Sequence, residues 1–391
     1  MTTVRDAPRG FGAEEYRRRA KALQRQMQEA DMGLLLLSTD ADIRYVTGFL
    51  TRFWESPTRP WFVLVPAAGD PVAVIPLAGE PLMSRTWVKD IRTWRSPDLE
   101  DDGVSLLADT IRSLAGSGAR IGLPMGHETH LRMPLADYEK VKARIAPLAF
   151  ADATQIVRRV REVKSEAEVE KIRTICAIAG RAFERVPEFA RQGRGLDAVF
   201  RDFQIACLSE GADWVPYVAG GAGPNGYTDV ISPATSRPLE AGDVLMLDTG
   251  AIRDGYFCDF DRNFAVGHAD DAVRRAHHTL YEATEAGFSA ARPGATAADL
   301  YHAMQTVVAK AGWQGSEGGR LGHGLGLQLT EWPSFIPADR TPLREGMVLT
   351  LEPGLEVSPG RIMVHEENIV LRANGAELLT PRAPAEIPVL K

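Results

Sequence analysis

The stretch MLDTGAIRDGYFCDFDRNF, residues 246–264, and its later counterpart TLEPGLEVSPGRIMVHEEN, residues 350–368, decide how this chain is read. Each is a pair of apolar runs folded about a turn, with an acid on either side. Asp248 and Asp259 flank Arg253-Asp254-Gly255, and Glu352 and Glu366 flank Pro359-Gly360. Folded symmetrically, each hairpin is expected to set its two acids opposite each other, about 5 Å apart at Cβ. A one-residue bulge slips that register. His323 stands between the hairpins in LGHGLGLQLTEWP, residues 321–333, among Gly322, Gly324 and Gly326. Those glycines let backbone approach closely, which suits a ligand presented from a tight segment. Four like charges held together repel unless a cation neutralises them, so the economical reading is a two-metal site.

Carboxylates and one imidazole form a harder donor set than thiolates, suited to two divalent ions of Mn, Co, Fe or Zn. Two such ions, about 3.5–4 Å apart, can clamp both oxygens of a tetrahedral centre, which hydrolysis of an unactivated amide needs at neutral pH. Any one of these acids alone would more readily be a salt-bridged or exposed side chain. Their joint occurrence carries the argument.

A length of 391 residues suggests two or three domains and a core that needs no covalent staples. The net charge of -7 offers no footprint for nucleic acid or an anionic membrane. The Arg-rich segment YRRRAKALQRQ, residues 16–26, reads as a solvated helix face. Cys176, Cys207 and Cys258 are odd in number and far apart, which suggests neither a disulfide framework nor a zinc pattern. The N-terminus lacks the apolar core and cleavage site of a secretory signal, and no apolar run is long enough to span a bilayer. The expectation is a cytoplasmic protein.

Apolar strands alternate with helices over the first 150 or so residues, beginning with a helix over 13–30 and the strand GLLLLS, which argues an α/β layer. Ser165 with Glu168 forms a capping box that opens a long helix. Further helices are expected over 196–210, 270–290 and 296–311, interleaved with antiparallel hairpins, so the second half reads as α+β.

LDTG (247–250), Asp259 followed by Arg262, GHGLG (322–326), LEPG (351–354) and HEEN (365–368) together resemble the M24 metallopeptidase family of prolidases and Xaa-Pro aminopeptidases. That family also holds methionine aminopeptidases and the non-peptidase creatinases. KSEAEVEKIR (164–173) resembles the helix that opens its catalytic domain, and DIRYVTGF (42–49) resembles the N-terminal domain of its creatinase and prolidase members. The resemblance implies an α+β fold: a smaller creatinase-like α/β domain over 1–157, then a C-terminal pita-bread domain over 158–391, a curved antiparallel sheet backed by helices. It also implies a homodimer, and a metal set of Asp248, Asp259, His323, Glu352 and Glu366, with Glu352 and His323 serving the chemistry. A hydroxide bridging the metals would attack a C–N amide bond, most simply that of an X-Pro dipeptide or an N-terminal X-Pro bond.

Other positions carry softer expectations. On a regular strand Asp261 shares a face with Asp259 and either orients a ligand or pairs with an arginine. Arg262 matches a family arginine with a structural ion-pair role. His365 and Glu367 alternate away from Glu366, His365 as a packing or hydrogen-bonding residue. Arg52, Trp54, Glu55, Arg59 and Trp61, in TRFWESPTRPW (51–61), are candidates for binding a small zwitterion, because in family dimers a loop of this domain can reach the partner's active site.

The proline-specific members carry two further histidines that this chain lacks. One falls near Asp229 or Val230 in GPNGYTDVISP, and the other falls at Thr330, followed by Glu331, where the family reads GHGxGxxxHE. Asp229, Thr330 and Glu331 are therefore the substrate-side candidates. Their absence weakens the peptidase expectation, and it also counts against a creatinase and, at Thr330, against a sulfonium-cleaving lyase. The alternative is a non-peptide hydrolase or lyase of the same family, acting on an ectoine-, creatine- or sulfoniopropionate-type substrate. A metal-free binding module is the reading from a different class.

Overall fold

The computed structural model describes residues 8–56, 59–315 and 319–391. The chain divides into two compact units, Pro8–Arg161 and Glu162–Lys391.

The first unit is built on six strands: β1 (Leu34–Leu37), β2 (Phe62–Pro66), β3 (Val72–Pro76), β4 (Asp90–Trp94), β5 (Arg120–Leu123) and β6 (Ala149–Asp152). They lie in the order β4-β3-β2-β1-β5-β6. The β1–β2 and β2–β3 pairs are antiparallel, whereas β1–β5, β3–β4 and β5–β6 are parallel. All of β1, β2 and β3 is buried, as unbroken apolar runs require of strands covered on both faces. The helix Ala13–Glu29 buries Tyr16, Ala20, Leu23 and Met27 at helical spacing. Arg19 departs from the solvated face expected there: it is buried, ion-paired with Glu15 at 3.0 Å and set over the rings of Phe11 and Tyr45. DADIRYVT folds as a helix, Asp40–Thr47, capped by the Thr39 side chain and closed by Gly48 at φ 79°.

The second unit opens with the helix Glu166–Glu184, whose Ser165–Glu168 capping box is fully formed. Helices Leu196–Glu210, Asp271–Ala290 and Ala297–Lys310 follow. Strands β7 (Val218–Pro224), β8 (Asp243–Thr249), β9 (Ile252–Arg253), β10 (Tyr256–Phe257), β11 (Phe260–Val266) and β12 (Gln314–Gly315) supply one half of its sheet structure. The other half comprises β13 (His323–Gly324), β14 (Glu331–Ser334), β15 (Val348–Leu351), β16 (Gly354–Ser358), β17 (Arg361–Val364), β18 (Glu367–Arg372), β19 (Gly375–Leu378) and β20 (Val389–Leu390). The pairing orders are β20-β11-β8-β7, β10-β9, β12-β16-β17 and β14-β13-β15-β18-β19. The helices 271–290 and 297–310 pack against these strands through one apolar core that includes Leu280, Leu300, Met304 and Leu351. Among the described residues no helix is long and apolar enough to cross a membrane. Cys176, Cys207 and Cys258 are buried free thiols.

The first hairpin corrects the expected register. Asp254 and Gly255 have φ of 50° and 84°, and the pair Arg253–Tyr256 closes directly around them. That two-residue, left-handed turn centres the hairpin so that Asp248 lies opposite Asp261, not Asp259. Asp259 precedes β11 and is a diagonal neighbour of Asp248. In the second hairpin Ser358 pairs with Arg361 around Pro359-Gly360, and Leu351 pairs with Glu367. Glu352 and Glu366 are the next residues inward from that last pair, in the break between β15–β18 and β16–β17.

Candidate metal centre

The two hairpin ends and the glycine-rich segment converge on one cavity of about 560 Å³. Asp248, Asp259, Asp261, His323, Glu352 and Glu366 all line it. One donor atom each from Asp259, His323 and Glu366 lies within 4.8 Å of the other two. His323 Nε2 stands 3.3 Å from Asp259 Oδ2 and 3.8 Å from Glu352 Oε2. Its Nδ1 lies 2.8 Å from the Gly324 carbonyl oxygen, which can only accept, so Nδ1 carries the proton and Nε2 turns its lone pair to the acids. Gly322 has φ of 149°, and a Cβ there would meet Phe335 at 2.3 Å. One on Gly324 would lie 2.2 Å from the Trp332 carbonyl oxygen. Only glycine lets this imidazole be seated so close to its neighbours.

Asp259, His323 and Glu366 are buried, Asp248 is half-buried, and Glu352 keeps 21% of its side-chain exposure. Burial first, and then the neighbouring carboxylates, hold Asp248 and Glu366 well above the ordinary carboxylate range. Burial raises Asp259 likewise, against the pull of Arg320. Glu352 is raised by burial and pulled down by His323 and Arg320. Asp248 Oδ1 and Glu366 Oε1 have no hydrogen-bond partner among the described residues. Orphaned oxygens on crowded acids, facing an imidazole lone pair, are what a divalent cation satisfies. The donor set fits such an ion.

The surrounding contacts fix these donors. Asp261 Oδ1 accepts from the Glu366 backbone N–H at 2.7 Å, and its Oδ2 accepts from Asn263 Nδ2 at 3.2 Å. Its carboxylate therefore holds Glu366. Arg262 sends Nη1 to the carbonyls of Asp261 at 2.5 Å and Glu366 at 3.0 Å, and pairs through Nη2 with Glu367 at 3.1 Å. His365 points away, its Nδ1 2.9 Å from Thr284 Oγ1. The Asn368 side chain grips both backbone groups of Asp259: Oδ1 accepts from its N–H at 3.0 Å and Nδ2 donates to its carbonyl.

Of the substrate-side expectations, only Thr330 lines the cavity, where it accepts from Arg320 Nη2 at 3.1 Å. Glu331 is corrected: it pairs with Lys164 at 3.0 Å and accepts from the backbone of Leu327 and Gln328, bracing the glycine loop from behind. Asp229 is corrected too. Its carboxylate accepts from the N–H groups of Ser232 and Ile231, which lowers its pKa and closes a local turn, and it is Val230 and Ile231 that face the cavity. Arg52, Trp54 and Arg59 belong to the first unit. There Arg52 pairs with Glu55 at 2.7 Å, Trp54 lies under Arg132, and Arg59 lies over Phe53. Trp61 is core, packed edge-on and tilted among Phe49, Phe53 and Trp54.

The model of Metallopeptidase family M24 matches residues 170–373, and that of the Creatinase/Prolidase N-terminal domain matches residues 19–163. The chain belongs to metallopeptidase family M24. Like that family, it is a metal-dependent hydrolase with a creatinase-like N-terminal domain and a pita-bread catalytic domain. It is 29% identical over 383 residues to a probable dipeptidase PepE of Mycobacterium tuberculosis, covering 98% of each chain. The crystal structure of dipeptidase PepE from Mycobacterium ulcerans superposes with a TM-score of 0.83 at 30% identity, covering 97% of this chain and 99% of that one. An Xaa-Pro dipeptidase of Pyrococcus horikoshii is 29% identical over 255 residues, covering 63% of this chain and 71% of its own.

Within this M24 site, sequence reasoning missed Arg320, Tyr217 and Asn368. Arg320 Nε lies 3.5 Å from Glu352 Oε1, and it brings a guanidinium to a cavity lined mainly by acids and apolar side chains. Tyr217 lines the same cavity, its hydroxyl pushed up by burial and by the carboxylates beside it. Asn368 closes HEEN, so its place beside a ligand was legible. Its grip on Asp259, across the sheet, was not.

Proposed function

We propose that this M24 chain is a dinuclear-metal dipeptidase that hydrolyses the X-Pro bond of a dipeptide. The observation that carries the reading is the convergence of five carboxylates, one imidazole and the Arg320 guanidinium on a cavity whose remaining walls are largely apolar, with the hydroxyl-bearing Tyr217 and Thr330. Asp248, Asp259, His323, Glu352 and Glu366 would hold the two ions. When bound, the metals supply Lewis acidity and neutralise the acids, lowering the barrier to water attack on an unactivated amide.

The chain's own groups do the rest. Met246, Val230, Ile231, Leu329, Ile362 and Val364 offer the substrate's side chains an apolar wall. Arg320 receives the substrate carboxylate, which lies one residue beyond the scissile carbonyl, a span of about 3.5 Å. Its position beside Glu352 suits that distance. Glu352, the more exposed of the two hairpin glutamates, carries a proton to the leaving nitrogen as the C–N bond breaks and water's oxygen joins the carbonyl carbon. Asp261 keeps Glu366 in place by holding its backbone N–H.

The test is turnover of Ala-Pro by Mn²⁺-loaded protein, beside Gly-Pro-type tripeptides, ectoine, creatine and a sulfoniopropionate, with elemental analysis and an Asp248→Ala control. Metal-dependent cleavage of Ala-Pro, lost in the control, is the expected result. Two bound metals with turnover of ectoine or creatine alone would replace the peptidase by a small-molecule hydrolase. Protein that binds no metal would be a binding module.

A further inference from the structure

The three donors that lie closest together, on Asp259, His323 and Glu366, sit where the backbone ladders break. Asp259 immediately precedes Phe260, the first paired residue of β11. His323 stands at a register shift in the β13–β14 pairing. Glu366 is the residue before β18. A break lets a side chain turn into the cavity, but it also frees buried backbone groups that must find other partners. In each case a buried side chain takes the place of the ladder. Asp261 accepts from the Glu366 N–H at 2.7 Å. Thr350 Oγ1 accepts from the His323 N–H at 3.1 Å. Asn368 accepts from the Asp259 N–H at 3.0 Å and donates to the Asp259 carbonyl.

Two of these three side chains form a unit. Thr350 and Asn368 face each other directly across β15 and β18, and both are fully buried. Opposed residues of an antiparallel pair project from the same face, so the two side chains stand side by side. One reaches the glycine-rich segment and the other reaches the end of the first hairpin. The Asn368 amide is fixed from the far side as well. Its Oδ1 also accepts from the Cys176 thiol at 3.4 Å, on the helix Glu166–Glu184, which leaves Nδ2 to donate to Asp259. The Thr350 backbone is fixed against Gly322, where a Cβ would lie 2.4 Å from the Thr350 carbonyl oxygen. Between the two ligands held in this way, His323 Nε2 stands 3.3 Å from Asp259 Oδ2. Bonds of about 2.0–2.2 Å at tetrahedral or octahedral angles put neighbouring donors about 2.8–3.6 Å apart. The edge has the length that such an ion requires.

We propose that Thr350 and Asn368 are paired positioning residues, which set the Asp259–His323 edge to the size of a divalent transition-metal ion. Each acts through the backbone of one ligand, and neither lines the cavity. Because they hold opposite ends of one edge and touch across the strands, their effects are coupled. Once one end is loose, the other has less left to hold, so losses from the two do not multiply. Two unconnected hydrogen bonds would give independent losses. This inference rests on Asp259 and His323 being metal ligands and is independent of the substrate.

The test is the Co²⁺ affinity of the full-length protein, read by competition with a chelating dye, together with the visible absorption of the bound ion, which reports its coordination. Thr350→Val keeps the shape and removes the acceptor. It should weaken Co²⁺ binding about 10- to 100-fold and alter the spectrum, whereas Thr350→Ser should keep both near wild type. Asn368→Leu should lose by a similar factor, and the double variant by less than the product of the two. Asn368→Leu probes the same edge from its other end, so the comparison stands even where Thr350→Val folds poorly. Wild-type affinity and spectrum in the Val and Leu variants, a loss that Thr350→Ser shares, or losses that multiply would overturn the pairing and leave the metal centre standing. Wild-type protein that takes up no Co²⁺ would overturn the metal centre and the pairing together.

Discussion

Arg320 reaches Thr330 with Nη2 and Glu352 with Nε while still lining the cavity. Replacing it by Gln keeps a polar side chain and removes the charge. On the proposed function, Arg320→Gln raises KM for Ala-Pro about 10- to 100-fold, with a smaller change in kcat and unchanged metal content. Steady-state kinetics on Ala-Pro and its C-terminal amide check this: a variant that loses equally on both substrates does not hold a carboxylate. Asp261 behaves differently, because it touches Glu366 through the backbone. Asp261→Ala is expected to weaken metal binding about 10- to 100-fold, read by competition with a chelating dye, with the fold retained. At this scale the five residues proposed as donors, all of which line the cavity, were legible because acids and a histidine recur in a fixed order. Arg320 was not, since a lone arginine in a glycine-rich segment has no pattern to mark it. Asp229 and Glu331 misled because position along the chain says nothing about a side chain's local hydrogen bonds.

At the scale of elements, glycines separate turn geometry from packing. Gly360 has φ of 71° and open space around its Cβ position, so Gly360→Ala carries only the left-handed penalty of about 1 kcal/mol. Gly322→Ala adds a collision with Phe335 and with the Thr350 carbonyl beside His323. It should cost about 2–4 kcal/mol and lower metal occupancy as well. Urea unfolding and metal analysis of both variants would show it, and equal losses would argue against the packing account. Alternating apolar runs and capping residues made most helices and strands readable. The register of the first hairpin was not, because centring the turn one residue later moves each pairing by two. Only the left-handed pair Asp254-Gly255 decides it.

Across the whole molecule, crowded acids make stability depend on pH. Asp248, Asp259 and Glu366 sit well above the usual carboxylate range in the metal-free fold, chiefly through burial. The folded chain therefore holds these protons more tightly than the unfolded one. Their contribution is present below the unfolded carboxylate pKa and is lost as pH rises through the folded value. The Tm of metal-free protein should fall as pH rises above the ordinary carboxylate range, and saturating Mn²⁺ should flatten that slope. Calorimetry with and without metal checks it, and parallel slopes would argue against these ligands. The family and its fold were legible from a few spaced motifs, because chemistry that needs several donors constrains many positions at once. The aromatic and arginine packing of the first unit left no such trace.

The short segment before the capped helix sets a limit on how the catalytic half can be isolated. Lys164 pairs with Glu331 behind the glycine loop, its backbone N–H donates to Gly346, and Val163 bridges to Met347. The family match begins only at residue 170. A truncation starting there would discard the capping box and strip a buried glutamate of its ammonium, a loss of about 3–5 kcal/mol. A fragment starting at Glu162 keeps every one of these ties. Expressed side by side, the longer fragment should fold with the higher Tm. Those eight residues belong to the architecture of the active site, although none of them is near the reacting atoms in sequence.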